Sequence, residues 1–195
     1  MGFGLVVIGY LTVFGTLPGS FIYYSWGIFI AVAGGFALFA GFYKLQEYNI
    51  YFKSMKYISA AYILILLAFA PFLIINHSDG FMQNFLFVSK VIRWLFLFVF
   101  HYFLLSGILS LSKEIGNIII EKKAKRNIFF TYIYFFAFIF EFFFTEAAIV
   151  MLVSGFIYYF LILAITYRCY MKITFEGHDE AIDEKYELKN KNKKR

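Results

Sequence analysis

Charge is scarce in this chain. Only 15% of its 195 residues are Asp, Glu, Lys or Arg, against about 25% in ordinary soluble proteins. That is too little to clothe a soluble globular enzyme or to keep a disordered chain solvated. Cysteine occurs once, at Cys169, so no intrachain disulfide can form and a disulfide-stapled scaffold is excluded. Catalytic signatures are missing as well. There is no Gly-rich phosphate loop ending in Lys-Ser/Thr, no H-E-x-x-H and no G-x-S-x-G. The N-terminal stretch lacks a basic n-region and a small-residue cleavage site, and so reads as a retained span. Val6 stands where the myristoylation pattern requires Ser or Thr.

Hydrophobic residues are abundant, at 62%, with 29 Phe and 16 Tyr. A bilayer span needs about 20 apolar residues, so the chain holds enough for about six. The expected fold is all-α: a polytopic transmembrane helical bundle of about six spans with no separate soluble domain. Spans are expected over 2–17, 21–43, 57–76, 91–112, 128–144 and 147–167. Residues 1–167 then form the transmembrane domain and 168–195 a charged cytoplasmic tail. Pro18-Gly19-Ser20 and His77-Ser78-Asp79-Gly80 read as turns. Pro71 predicts a kink near Leu67. Residues 81–94 read as an interfacial helix leading into the fourth span. Residues 44–56 and 113–127 read as polar connectors, the second with Ile118-Ile119-Ile120 on the bilayer surface.

Charge placement sets an orientation. The two connectors and the tail carry three, five and eight Lys+Arg, sixteen of the eighteen present. The opposite side holds Lys90 and Arg93. Positive charge is retained in the cytoplasm, which predicts a multi-pass protein of the cell membrane with both termini cytoplasmic.

Span two concentrates small residues. Ala31, Ala33, Gly34, Gly35, Ala37, Ala40 and Gly41 fall within eleven positions, and Gly27, Gly34 and Gly41 repeat every seven. Small side chains let helices approach closely in lipid, so this is either the central packing helix or the contact for a partner subunit. Lys90, Arg93, Glu141 and Glu146 fall near the outer ends of spans four to six. They either snorkel and pair at the interface or form a polar mouth into the bundle. His101 lies about 12 Å deeper than Arg93 on one stripe of span four. An ionisable residue at that depth is a substrate or proton site, or a neutral imidazole bonded to a hydroxyl or carbonyl. Val153-Ser154-Gly155 is a packing contact more readily than a nucleophile, and His77 with Asp79 is too sparse for a metal site. Tyr23, Tyr24 and Trp26 at one edge, and Tyr43, Tyr48, Tyr51 and Tyr57 at the other, read as interfacial belts.

No catalytic residue, metal site or cofactor is expected. The leading functional expectation is a non-enzymatic membrane component that binds or moves a small solute. In size and span number the chain resembles the substrate-binding membrane subunits of vitamin importers. That resemblance is architectural and implies no site residue. The alternative is a scaffold or assembly protein, and the third reading is an intramembrane lipid-modifying enzyme. Expected partners are the bilayer and a membrane subunit or second copy of the chain, and no nucleic acid.

Overall fold

The computed structural model describes residues 2–15, 25–74, 79–141, 144 and 147–174. Six α-helices account for nearly all of them: α1 (Gly2–Gly15), α2 (Ser25–Leu45), α3 (Ile50–Ile74), α4 (Asp79–Glu114), α5 (Ile118–Glu141) and α6 (Ala147–Cys169). A π-helical turn, Tyr170–Thr174, extends α6. No strand occurs among the described residues. Each helix packs on the next in sequence, and α6 returns to α1, so the six close into a ring.

Among the described residues, three helical stretches are long and apolar enough to cross a membrane: Ile50–Pro71, Trp94–Glu114 and Val153–Lys172. Gly2–Val13 and Phe29–Leu45 are apolar but shorter. The early turns of α5 carry Lys122, Lys123, Lys125 and Arg126, which shortens its apolar run. Large apolar side chains lie exposed on every helix, among them Ile8, Phe36, Leu64, Leu95, Phe136 and Phe160. A water-soluble monomer rarely carries so much open apolar surface; the apolar helices are compatible with a membrane protein.

The helices are longer than the apolar runs implied, and the connectors are correspondingly short. The connector expected over 44–56 shrinks to 46–49, because Asn49 caps α3. Its Oδ1 accepts from the Phe52 N–H at 3.0 Å, and its backbone carbonyl from the Lys53 N–H at 3.2 Å. The connector expected over 113–127 shrinks to Ile115–Asn117. There α4 ends in a Schellman motif: Gly116 N–H donates to the Lys113 carbonyl and Asn117 N–H to the Ser112 carbonyl, with Gly116 at φ +75°. Asn117 then caps α5 through the Ile120 N–H at 3.1 Å. The triplet is the first turn of a helix: Ile118 and Ile119 are exposed as expected, whereas Ile120 turns into the core. The separate interfacial helix is likewise corrected. Residues 81–94 continue without a break into α4, whose 36 residues span about 54 Å. Asp79 and Gly80 open that helix rather than closing a turn, and α3 stays helical through Leu67 and Pro71. Pro18-Gly19-Ser20, His77 and Ser78, and the tail from 175 lie outside the described residues.

The tightest seam joins α1 and α2. Gly2 and Gly9 are seven apart on α1, as Gly34 and Gly41 are on α2. The antiparallel pairing sets Gly2 against Gly41 and Gly9 against Gly34. A Cβ built on Gly9 would lie 2.7 Å from the Leu38 backbone nitrogen and 2.8 Å from the Gly34 carbonyl oxygen. One on Gly41 would lie 2.7 Å from Val6 Cγ2. Contact at this range is how helices gain dispersion energy where lipid supplies no hydrophobic drive. The stripe of α1 beside the glycines, at helical spacing, is Phe3, Val6, Tyr10 and Val13, all buried.

Candidate functional site

The centre of the ring is polar and aromatic. His101 on α4 is buried, and its Nε2 lies 2.9 Å from the Tyr10 hydroxyl of α1. The Tyr158 ring of α6 meets the imidazole edge-on, with centroids 5.1 Å apart, and Tyr10 stacks on Tyr159 at 5.2 Å. Beyond Tyr158 the polar string continues. Thr131 Oγ1 donates to the Asn127 carbonyl at 2.9 Å, so the Tyr158 hydroxyl, 2.7 Å away, donates to Thr131. Asn127 Nδ2 donates to the Leu161 carbonyl at 3.2 Å, which ties α5 to α6. The Asn127 Oδ1 is buried with no partner among the described residues. The helical stripe expected through His101 is present: Leu104 and Ile108 below it are buried too. The hydroxyl partner is the arrangement a neutral, packing imidazole makes.

A second arrangement was not foreseen in the sequence. An open cleft of about 850 Å³ lies between the start of α3, the last third of α4 and α5. Its lining includes Tyr48, Tyr51, Tyr102, Tyr132, Ser106 and Ser110, with Lys113 and Glu114 towards one end. Tyr48 and Tyr51, two of the expected belt residues, face this cleft. His101 is not among its lining residues; Tyr102, next in sequence, occupies that level of the cleft wall. One wall is pinned: Asn49 Nδ2 donates to the Gly107 carbonyl at 3.0 Å, and Gly107 lets the Phe52 ring lie directly against α4.

The charged end of the bundle gathers Lys113, Lys122, Lys123, Lys125, Arg126, Arg168 and Lys172. Glu121 bonds Lys125 at 2.7 Å, which holds its carboxyl below the usual range. Partial burial, then the positive charges of Arg168 and Arg126, hold the Lys123 ammonium below its usual range.

Of the other residues singled out from sequence, Ala31, Gly34, Gly35 and Gly41 are buried. Gly34 packs on Thr12 and Val13 of α1, and Gly35 on Ile63 and Tyr62 of α3. Gly27 belongs to α2, but its surroundings lie outside the described residues. Lys90 and Arg93 sit on α4 and Glu141 ends α5; their side chains, and all of Glu146, lie outside the described residues. Among the described residues, no three His, Cys, Asp or Glu side chains come together as metal ligands would. Comparison with protein-family models, curated proteins and solved structures returns no match.

Proposed function

We propose that the protein is a six-span component of the cell membrane that binds a small amphipathic molecule in the α3–α4–α5 cleft, without catalysing a reaction on it. The cleft carries this reading. Its volume falls within the roughly 300–1,000 Å³ of ordinary ligand sites. Four tyrosines offer ring faces to an apolar or planar body, while Ser106, Ser110, Lys113 and Glu114 offer hydrogen bonds and charge to a polar head. The scaffold reading has less support. The small-residue face of α2 that would receive a partner is already covered by α1 and α3.

Native mass spectrometry of protein purified in mild detergent tests the proposal. A bound small molecule should accompany the wild type and be absent from Ser110→Trp, which fills the cleft, while Phe136→Trp on an exposed face keeps it. A ligand retained equally by both variants would place binding elsewhere, and none in any preparation would remove the main support for solute binding.

Both termini belong on the cytoplasmic side in this proposal, following the sixteen basic residues. In a protein with Cys169 replaced, cysteines at Ser54, Lys123 and Lys191 should resist an impermeant thiol reagent in intact cells, and one at Ser78 should react. The reverse pattern inverts the orientation.

A further inference from the structure

We propose that Lys123 and Arg126 of α5, with Arg168 of α6, form a site for the phosphate headgroup of an anionic phospholipid. The geometry starts from the Asn127–Leu161 hydrogen bond, which fixes the antiparallel register of the two helices. Arg168 lies seven residues beyond Leu161, about 10 Å along the axis, which brings it level with the first turn of α5. Lys123 stands one turn before Asn127, and Arg126 follows three residues after Lys123 on the same side. The three cations therefore lie on facing stretches of two helices, within about 9 Å along the axis. The charges of Arg168 and Arg126 both act on Lys123, while the Arg126 guanidinium also lies over the Phe130 ring, 6.0 Å from its centroid.

Orientation in the membrane requires only a count of basic residues. Placement of three of them on facing stretches of two helices is a further feature, and like charges this near repel unless an anion lies among them. Glu121 on the same turn of α5 is engaged by Lys125, and the charges that act on Lys123 are the positive ones of Arg168 and Arg126. Arginine forks and an ammonium suit a phosphate diester. Ile118 and Ile119, each 63% exposed one turn away, give the acyl chains of the same lipid an aliphatic surface. A phosphate carried on a lipid satisfies both features, whereas a free phosphate ion satisfies only the first.

The test uses the full chain in mild nonionic detergent, with its thermal unfolding followed as lipid is added. Short-chain phosphatidylglycerol should raise the unfolding temperature, and phosphatidylcholine of the same chains and inorganic phosphate should not. Lys123→Gln/Arg126→Gln/Arg168→Gln should weaken the apparent affinity for phosphatidylglycerol about a hundredfold, since each juxtamembrane cation contributes about fivefold. Arg168→Gln alone, on an exposed side chain, should show about one third of that effect on a logarithmic scale. It serves if the triple variant fails to fold. Lys44→Gln/Lys53→Gln, which removes exposed charge elsewhere, should leave the affinity unchanged. Equal stabilisation by the two lipids overturns the proposal. So does an equal loss in the control variant, which would mean bulk charge alone. Phosphate ion as effective as the lipid would also overturn it, because the site would then take an anion and not a headgroup.

Discussion

Gly9→Ala should destabilise the bundle, although alanine is the better helix former. The substitution places a Cβ 2.7 Å from the Leu38 nitrogen and 2.8 Å from the Gly34 carbonyl oxygen, both of them backbone atoms that no rotamer change can clear. To restore ordinary contact, α1 and α2 must part locally by about 0.7 Å, and a gap of that order forfeits about a quarter to a half of each dispersion well along the seam. Overpacking of this kind costs about 1–3 kcal/mol. Against it stands a helix-propensity gain of about 1 kcal/mol. Gly4→Ala supplies the control on the same helix. Its Cβ would meet only the edge of the Tyr170 ring, at 3.1 Å, and a side chain can move by a few tenths of an ångström. Both variants gain the same propensity, so their difference isolates the seam. Gly9→Ala should be less stable than Gly4→Ala by about 1–3 kcal/mol. Reversible unfolding in mixed detergent micelles with increasing SDS, followed by circular dichroism, measures the difference. Equal stability of the two variants would refute close backbone approach as what holds α1 to α2.

Asn117→Ala should cost about 1 kcal/mol by uncapping α5, whereas Asn117→Asp should keep most of the cap; the same unfolding assay reads both. His101→Phe should fold and lose about 0.6 kcal/mol with the Tyr10 hydrogen bond. A double-mutant cycle with Tyr10→Phe should return a coupling between zero and about 1.7 kcal/mol, and coupling well above that range would mean that the pair does more than pack.

The sequence revealed the six-helix layout because long apolar runs have few other uses. It revealed the close-packed stripe of α2 for a related reason: glycines repeated inside a helix are costly unless a neighbour lies against them. The answering stripe was equally visible. Gly2 and Gly9 repeat the spacing of Gly34 and Gly41, and comparing the two would have paired the helices. Helix ends are harder to place from sequence, because polar residues occur both in connectors and on the ends of helices. Lys122 to Arg126 lie within a helix, and the informative residues were the adjacent Gly116 and Asn117, a C-cap glycine followed by an N-cap asparagine. The cleft was hidden for a different reason. Its walls run from Tyr48 to Tyr132 on three helices, and tyrosines near a span end look alike whether they face lipid headgroups or each other.

The closure of α6 onto α1 has a consequence for biogenesis. Tyr10 finds its hydrogen-bond partner in His101, 91 residues later, and its stacking partner in Tyr159. Ribosomes add about 5–20 residues per second, so α1 waits roughly 10–30 s in the membrane before α6 emerges to cover it. Its glycine seam can close on α2 early, but the Tyr10 face stays open to lipid or to the insertion machinery until nearly the whole ring has been made. A ribosome stalled between α5 and α6 would therefore leave an open bundle with the Tyr10 ring not yet covered by Tyr159, a form that quality-control proteases are suited to recognise.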